Sequence, residues 1–120
     1  MRLRIVIALF FVLLVLTGCS LKERRMEQIR SRYPQWDPAT TERVASRKVE
    51  PGMTREMVEV ALGRPETITL EGDEEKWTYV VLVTVSMGAI SKRPVYFVYF
   101  MDGKVVRTEG DWSKLGYWYY

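Results

Sequence analysis

Between Glu50 and Pro65 the chain spells out both ends of one short helix, and from Thr67 its hydrophobic period changes from helical to alternating. Pro51 and Gly52 suit the centre of a type II turn, whose second central position needs positive φ. Thr54 follows as the N-cap, Met53 stands before it as a hydrophobic staple toward Val58, and Glu56 lies near the positive end of the helix dipole. Val58, Ala61 and Leu62 form the buried stripe, Gly63 supplies a left-handed C′ residue, and Pro65 prevents continuation. Thr67 to Leu70 then reads as a strand, Glu71 to Glu75 as a polar turn, and Lys76 to Val85 as a long strand with Trp77, Tyr79, Val81, Val83 and Val85 on one face. A helix this short beside strands this long dictates an α+β arrangement.

The remaining elements follow the same logic. Ser86 to Pro94 reads as a loop. Val95 to Met101 is apolar or aromatic on both faces, with Val95, Phe97, Tyr99 and Met101 on one and Tyr96, Val98 and Phe100 on the other. Asp102-Gly103 predicts a type I′ hairpin turn into a last strand over Lys104–Thr108. Upstream, Asp37-Pro38 reads as N-cap and N1 of a helix to about Lys48, with Val44 and Ala45 inward and Trp36 over one end of the core. Leu21 to Arg32 spaces Met26 and Ile29 helically, and Pro34 breaks that helix. The fold predicted is two short helices on one face of a three- to four-stranded antiparallel sheet, preceded by an extra N-terminal helix. Trp112 and the run Tyr117-Trp118-Tyr119-Tyr120 make an aromatic tail that either returns to the sheet or meets a membrane or partner.

Residues 1–18 stand outside this fold. Arg2 and Arg4 precede an apolar run from Ile5 to Leu16, which spans only about 18 Å as a helix against the ~30 Å of a bilayer core. That length suits a signal peptide rather than a membrane span. The run ends in Leu16-Thr17-Gly18-Cys19, which resembles the bacterial lipobox, where the cysteine thiol is lipidated and the chain is cut before it. Ser20, next to Cys19, resembles an outer-membrane address. Lys22, Arg24, Arg25, Arg30 and Arg32 then lie beside the anchor in what reads first as a solvated linker helix, with contact to anionic headgroups as the alternative. The expected division is a signal peptide over 1–18, a lipidated N-terminus and linker over 19–36, the α+β domain over 37–110 and the tail over 111–120.

Composition narrows the chemistry. The 120 residues contain no histidine and one cysteine, which removes most neutral-pH general-base, nucleophile-activating and thiolate-metal designs. A net charge of +3 is too small for a dedicated nucleic-acid binder. Asp73, Glu74 and Glu75 read as a solvated hairpin turn without the spaced ligand set of a calcium loop, and Lys92-Arg93 as a small loop patch. No catalytic residue, metal or cofactor is expected beyond the covalent lipid on Cys19.

The spacing Gly52-Met53-Thr54, Val58, Leu62-Gly63, Pro65 resembles the SmpA/OmlA family, the small outer-membrane lipoproteins called BamE in the β-barrel assembly machinery. The resemblance continues through Trp77-Thr78-Tyr79-Val80 and Tyr99-Phe100-Met101-Asp102-Gly103-Lys104-Val105, and covers about residues 49–106. A proline-initiated helix stands where better-known members carry an extended stretch containing Gln-Gly-Asn. The resemblance implies two helices on a three-stranded antiparallel sheet and a non-catalytic, periplasm-facing adaptor that binds a protein partner during β-barrel assembly or in envelope integrity. An inhibitor or ligand-binding module of the β-lactamase-inhibitor-like fold and a purely structural lipoprotein are the alternatives. Because two helices cover one sheet face, Tyr96, Val98, Tyr99 and Phe100 are the candidate partner-binding residues, the alternative being that the chain's own N-terminal helix and aromatic tail seal them.

Overall fold

A computed structural model describes residues 2–7 and 21–119, the side chains of 116–119 excepted. The lipobox Leu16-Thr17-Gly18-Cys19 lies outside the described residues, and residues 2–7 are helical. Among the described residues no helix is long and apolar enough to cross a membrane. The chain forms two compact units, Met1–Ala45 and Ser46–Tyr120.

The first unit pairs helix α1 (Leu21–Arg32) with helix α2 (Pro38–Ala45). Ile29 is the buried residue of the otherwise polar α1. The Arg25 guanidinium donates to the Ala45 carbonyl at 3.0 Å, and Lys22 pairs with Glu42 at 3.4 Å, so basic residues of α1 tie it to α2. Past α1, Tyr33 and Trp36 stack with ring centroids 4.3 Å apart, which leaves Trp36 half-buried on its neighbour. The Asp37 carboxylate accepts the Thr40 N–H at 2.6 Å, the N-cap bond the sequence calls for. The α2 helix stops at Ala45, short of Lys48, because Arg47 takes φ 61, the left-handed conformation of a helix C′ residue.

In the second unit, Met53 N–H closes the turn on Glu50 O at 3.3 Å with Gly52 at φ 92. Helix α3 (Arg55–Leu62) follows, and Thr54 Oγ1 accepts the Met57 N–H at 3.3 Å. Gly63 has the expected positive φ of 84°, but its ψ of −173° is extended rather than left-handed helical. The chain leaves α3 extended because Pro65 and β1 follow directly.

Strands β1 (Thr67–Glu71), β2 (Glu74–Thr84), β3 (Ile90–Met101) and β4 (Lys104–Gly110) form an antiparallel meander in chain order. Gly72-Asp73 alone turns β1 into β2, so Glu74 and Glu75 belong to a strand rather than to the acidic turn expected of them. Asp102 (φ 51) and Gly103 (φ 79) have the paired positive φ of a type I′ turn. The expected loop Ser86–Pro94 is instead the far half of a long hairpin, with a 3-10 turn over Ser86–Gly88 and ladder pairs Leu82↔Lys92 and Thr84↔Ile90. Pro94 hid this strand. It sits where the register skips Val95 between Tyr79↔Tyr96 and Val80↔Pro94, a bulge at which a missing N–H costs little.

One sheet face gathers Trp77, Tyr79, Tyr96, Val98, Phe100 and Val105, all buried. Trp77 meets Phe100 at 4.6 Å and Tyr79 meets Tyr96 at 6.4 Å between centroids. On the opposite face Tyr99 is buried as well, at 4 % exposure. The Arg107 guanidinium lies 3.9 Å above its ring, and Lys76 Nζ sits 4.7 Å from the Phe97 ring centre. Tyr99 Oη donates to Glu109 at 3.1 Å, and Arg107 pairs with Glu74 at 2.5 Å. The cationic heads of Arg107 and Lys76 thus cap Tyr99 and Phe97 of the second aromatic row as cation–π partners. The 3-10 segment Trp112–Tyr119 also returns to β2 and β3, with Leu115 buried. Tyr96, Val98, Tyr99 and Phe100 are therefore interior, and the expectation that they offer an open partner face is corrected.

Candidate functional site

The family-like residues converge where α3 meets the sheet. Gly52 N–H donates to Val105 O and Val105 N–H to Met53 O, both at 2.8 Å, while Thr54 bridges Lys104. The turn before α3 thereby becomes a partner for the edge of β4. Arg55, at the start of α3, grips Glu75 of β2 through Nε at 2.9 Å and Nη2 at 2.7 Å. Trp77 Nε1 donates to the other Glu75 oxygen at 2.6 Å. The hydrogen bond from Arg55 holds the Glu75 carboxyl below its ordinary pKa against the opposing effect of burial, and the Trp77 bond acts in the same direction. At the other end of α3, Tyr79 Oη donates to Gly63 O at 2.9 Å.

These contacts explain the spacing physically. Gly103 faces Arg55 so closely that an added Cβ would stand 3.1 Å from Nη1. Val58 and Leu62 are buried on the apolar side of α3, Pro65 directs the exit, and Asp102 completes the hairpin with Gly103. The constellation clamps a helix onto a sheet. Among the described residues no group of three or more His, Cys, Asp or Glu side chains could hold a metal ion.

The exposed features lie elsewhere. The outer half of the β2–β3 hairpin projects Leu82, Val85, Met87 and Ile90 into solvent, with Leu82 65 % and Ile90 70 % exposed and Met87 wholly so. Met87 adopts φ 64 at the turn. Lys92, cross-strand from Leu82, pairs with Glu66, and Arg93 is its exposed neighbour. Four exposed apolar side chains on one hairpin end are the kind of surface that marks a contact site. A sequence signal for it existed: no acidic residue occurs between Glu75 and Asp102. Arg55 and Glu75, the polar centre of the clamp, gave none, because only the fold brings them together.

No curated protein matches the chain. The family model described as the outer membrane protein assembly factor BamE domain matches residues 41–110, more than half of the chain and the whole of α3 and the four-stranded sheet. The helix-to-sheet clamp and the family match agree, and the chain belongs to the BamE domain family.

Proposed function

We propose that this protein is an outer-membrane lipoprotein, held by lipid on Cys19 and facing the periplasm, that serves as a non-catalytic adaptor in assembly of outer-membrane β-barrel proteins. The observation that carries this reading is the BamE-domain match over residues 41–110. The lipobox-like Leu16-Thr17-Gly18-Cys19 supports the anchor, since diacyl plus amide-linked chains supply the more than one lipid that stable anchoring requires. With Tyr96, Val98, Tyr99 and Phe100 buried, the apolar hairpin end around Leu82, Met87 and Ile90 is the surface the adaptor offers to the assembly machinery.

Cys19→Ser tests the anchor. The variant is expected to remain an unprocessed precursor without fatty-acid label and to recover less of the assembly machinery from detergent-solubilised envelope. Continued labelling and outer-membrane fractionation of the variant would remove the anchor from the proposal.

A further inference from the structure

The meander leaves two sheet edges, β1 and β4, and they are treated unequally. The main chain of Gly52, Met53 and Thr54 covers the start of β4. Among the described residues no strand or bridge pairs the outer side of β1. All five residues of β1 are exposed, Ile68 at 57 % and Leu70 at 77 %. Natural sheets blunt such edges with lysine, proline, bulges or covering segments. The β1 sequence Thr-Ile-Thr-Leu-Glu contains neither lysine nor proline, and its register against β2 runs without a bulge.

We propose that β1 is a pairing edge for a second copy of this chain, the two joining antiparallel about Thr69 into one continuous sheet. The pattern of the strand selects this occupant. Centred on Thr69, antiparallel pairing sets each Ile68 opposite the second copy's Leu70, Thr67 opposite Glu71, and Thr69 opposite itself. Both apolar pairs then fall on one face and no like charges meet. The acidic ends of the strand are already neutralised from within, Glu66 by Lys92 and Glu71 by Lys76. Pairing two five-residue strands covers less than the ~1,200 Å² of a stable free-standing interface, so the association is reversible and grows with local concentration.

The register makes the proposal sharp. Cross-strand Cα atoms at the two-fold lie about 4.5–5.5 Å apart, within disulfide reach, whereas two copies of position 67 lie roughly 13 Å apart along the strands. In the full chain carrying Cys19→Ser, so that the introduced thiol is the only one, Thr69→Cys is expected to give an oxidised dimer at least tenfold more readily than Thr67→Cys. Adding Ile68→Lys and Leu70→Lys, both at exposed positions, should abolish that dimer while leaving the circular dichroism melt unchanged. Equal oxidation at 67 and 69, or a dimer unaffected by the lysines, would overturn the proposal. A photoreactive side chain at position 69 in the envelope separates the occupants: an adduct of twice the mass of the processed, lipidated chain supports a second copy, while an adduct to another polypeptide, or none, refutes it.

Discussion

Gly110→Ala isolates a packing constraint that Gly52→Ala lacks. Both glycines hold nearly the same backbone, φ 89 and φ 92, which an L side chain adopts at a cost of about 1–3 kcal/mol. Their surroundings differ. A Cβ at Gly52 meets nothing within 4 Å, whereas one at Gly110 stands 2.2 Å from Val95 O and 3.2 Å from Tyr96 Cα. Those are main-chain atoms of β3, and Val95 O is also held by the Asp111 N–H at 3.0 Å, so relief requires β4 to part from β3. Overpacking of this kind adds a further ~1–3 kcal/mol. Gly52→Ala is therefore expected to lose about 1–3 kcal/mol and Gly110→Ala about 2–6. At roughly 4–8 °C per kcal/mol for a domain of this size, the second variant should melt at least about 4 °C below the first. Thermal melts followed by far-UV circular dichroism measure the gap. Equal melting temperatures would refute the claim that the Val95 carbonyl blocks a side chain at 110.

Further outcomes follow from the clamp and the buried aromatic residues of the sheet. Glu75 has its folded-state pKa lowered, so its stabilising contribution is present above the ordinary value near 4.5 and is lost as pH falls through the folded value. Glu75→Gln should accordingly flatten the loss of stability in urea melts taken from pH 6 to pH 3, and an unchanged slope would contradict the Arg55 bond as its source. Tyr79→Phe removes the donor to Gly63 O from a wholly buried ring, and is expected to cost about 1–2 kcal/mol in urea unfolding; no change would deny that bond a role. Tyr99→Asp buries a charge beneath Arg107 and Lys76, and should lower the melting temperature strongly, whereas an unperturbed melt would return the second face to the list of open surfaces.

How much of this was readable in advance depended on distance along the chain. The turn, cap and stop of α3 were legible because Glu50-Pro51-Gly52, Thr54 and Gly63-Arg64-Pro65 act on neighbours within a few residues. The end of α2 was not, because Arg47 takes left-handed geometry without the glycine that usually announces it. The alternation of Val95–Met101 shows β3 to be apolar on both faces, but the cover over Tyr99 comes from Lys76 and Arg107 on two other strands, and only the ladder register decides that they meet it. Pro94 argued for a loop because proline within a strand usually does; the bulge at Val95 admits it. The burial of Tyr96, Val98, Tyr99 and Phe100 is hidden from the sequence for the same reason: exposure is a property of register and of long side chains from neighbouring strands. The apolar hairpin end, by contrast, follows once the loop is recognised as paired strand.

Affinity recovery from detergent-solubilised envelope, with the anchor intact, compares the unaltered protein with the double variant Leu82→Asp and Met87→Asp. Both positions are exposed, so the variant should keep its melting temperature. The unaltered protein is expected to bring down components of the β-barrel assembly machinery, and the variant to lose most of them. Equal recovery by the two, or no machinery recovered by either, would contradict an adaptor that works through the hairpin end.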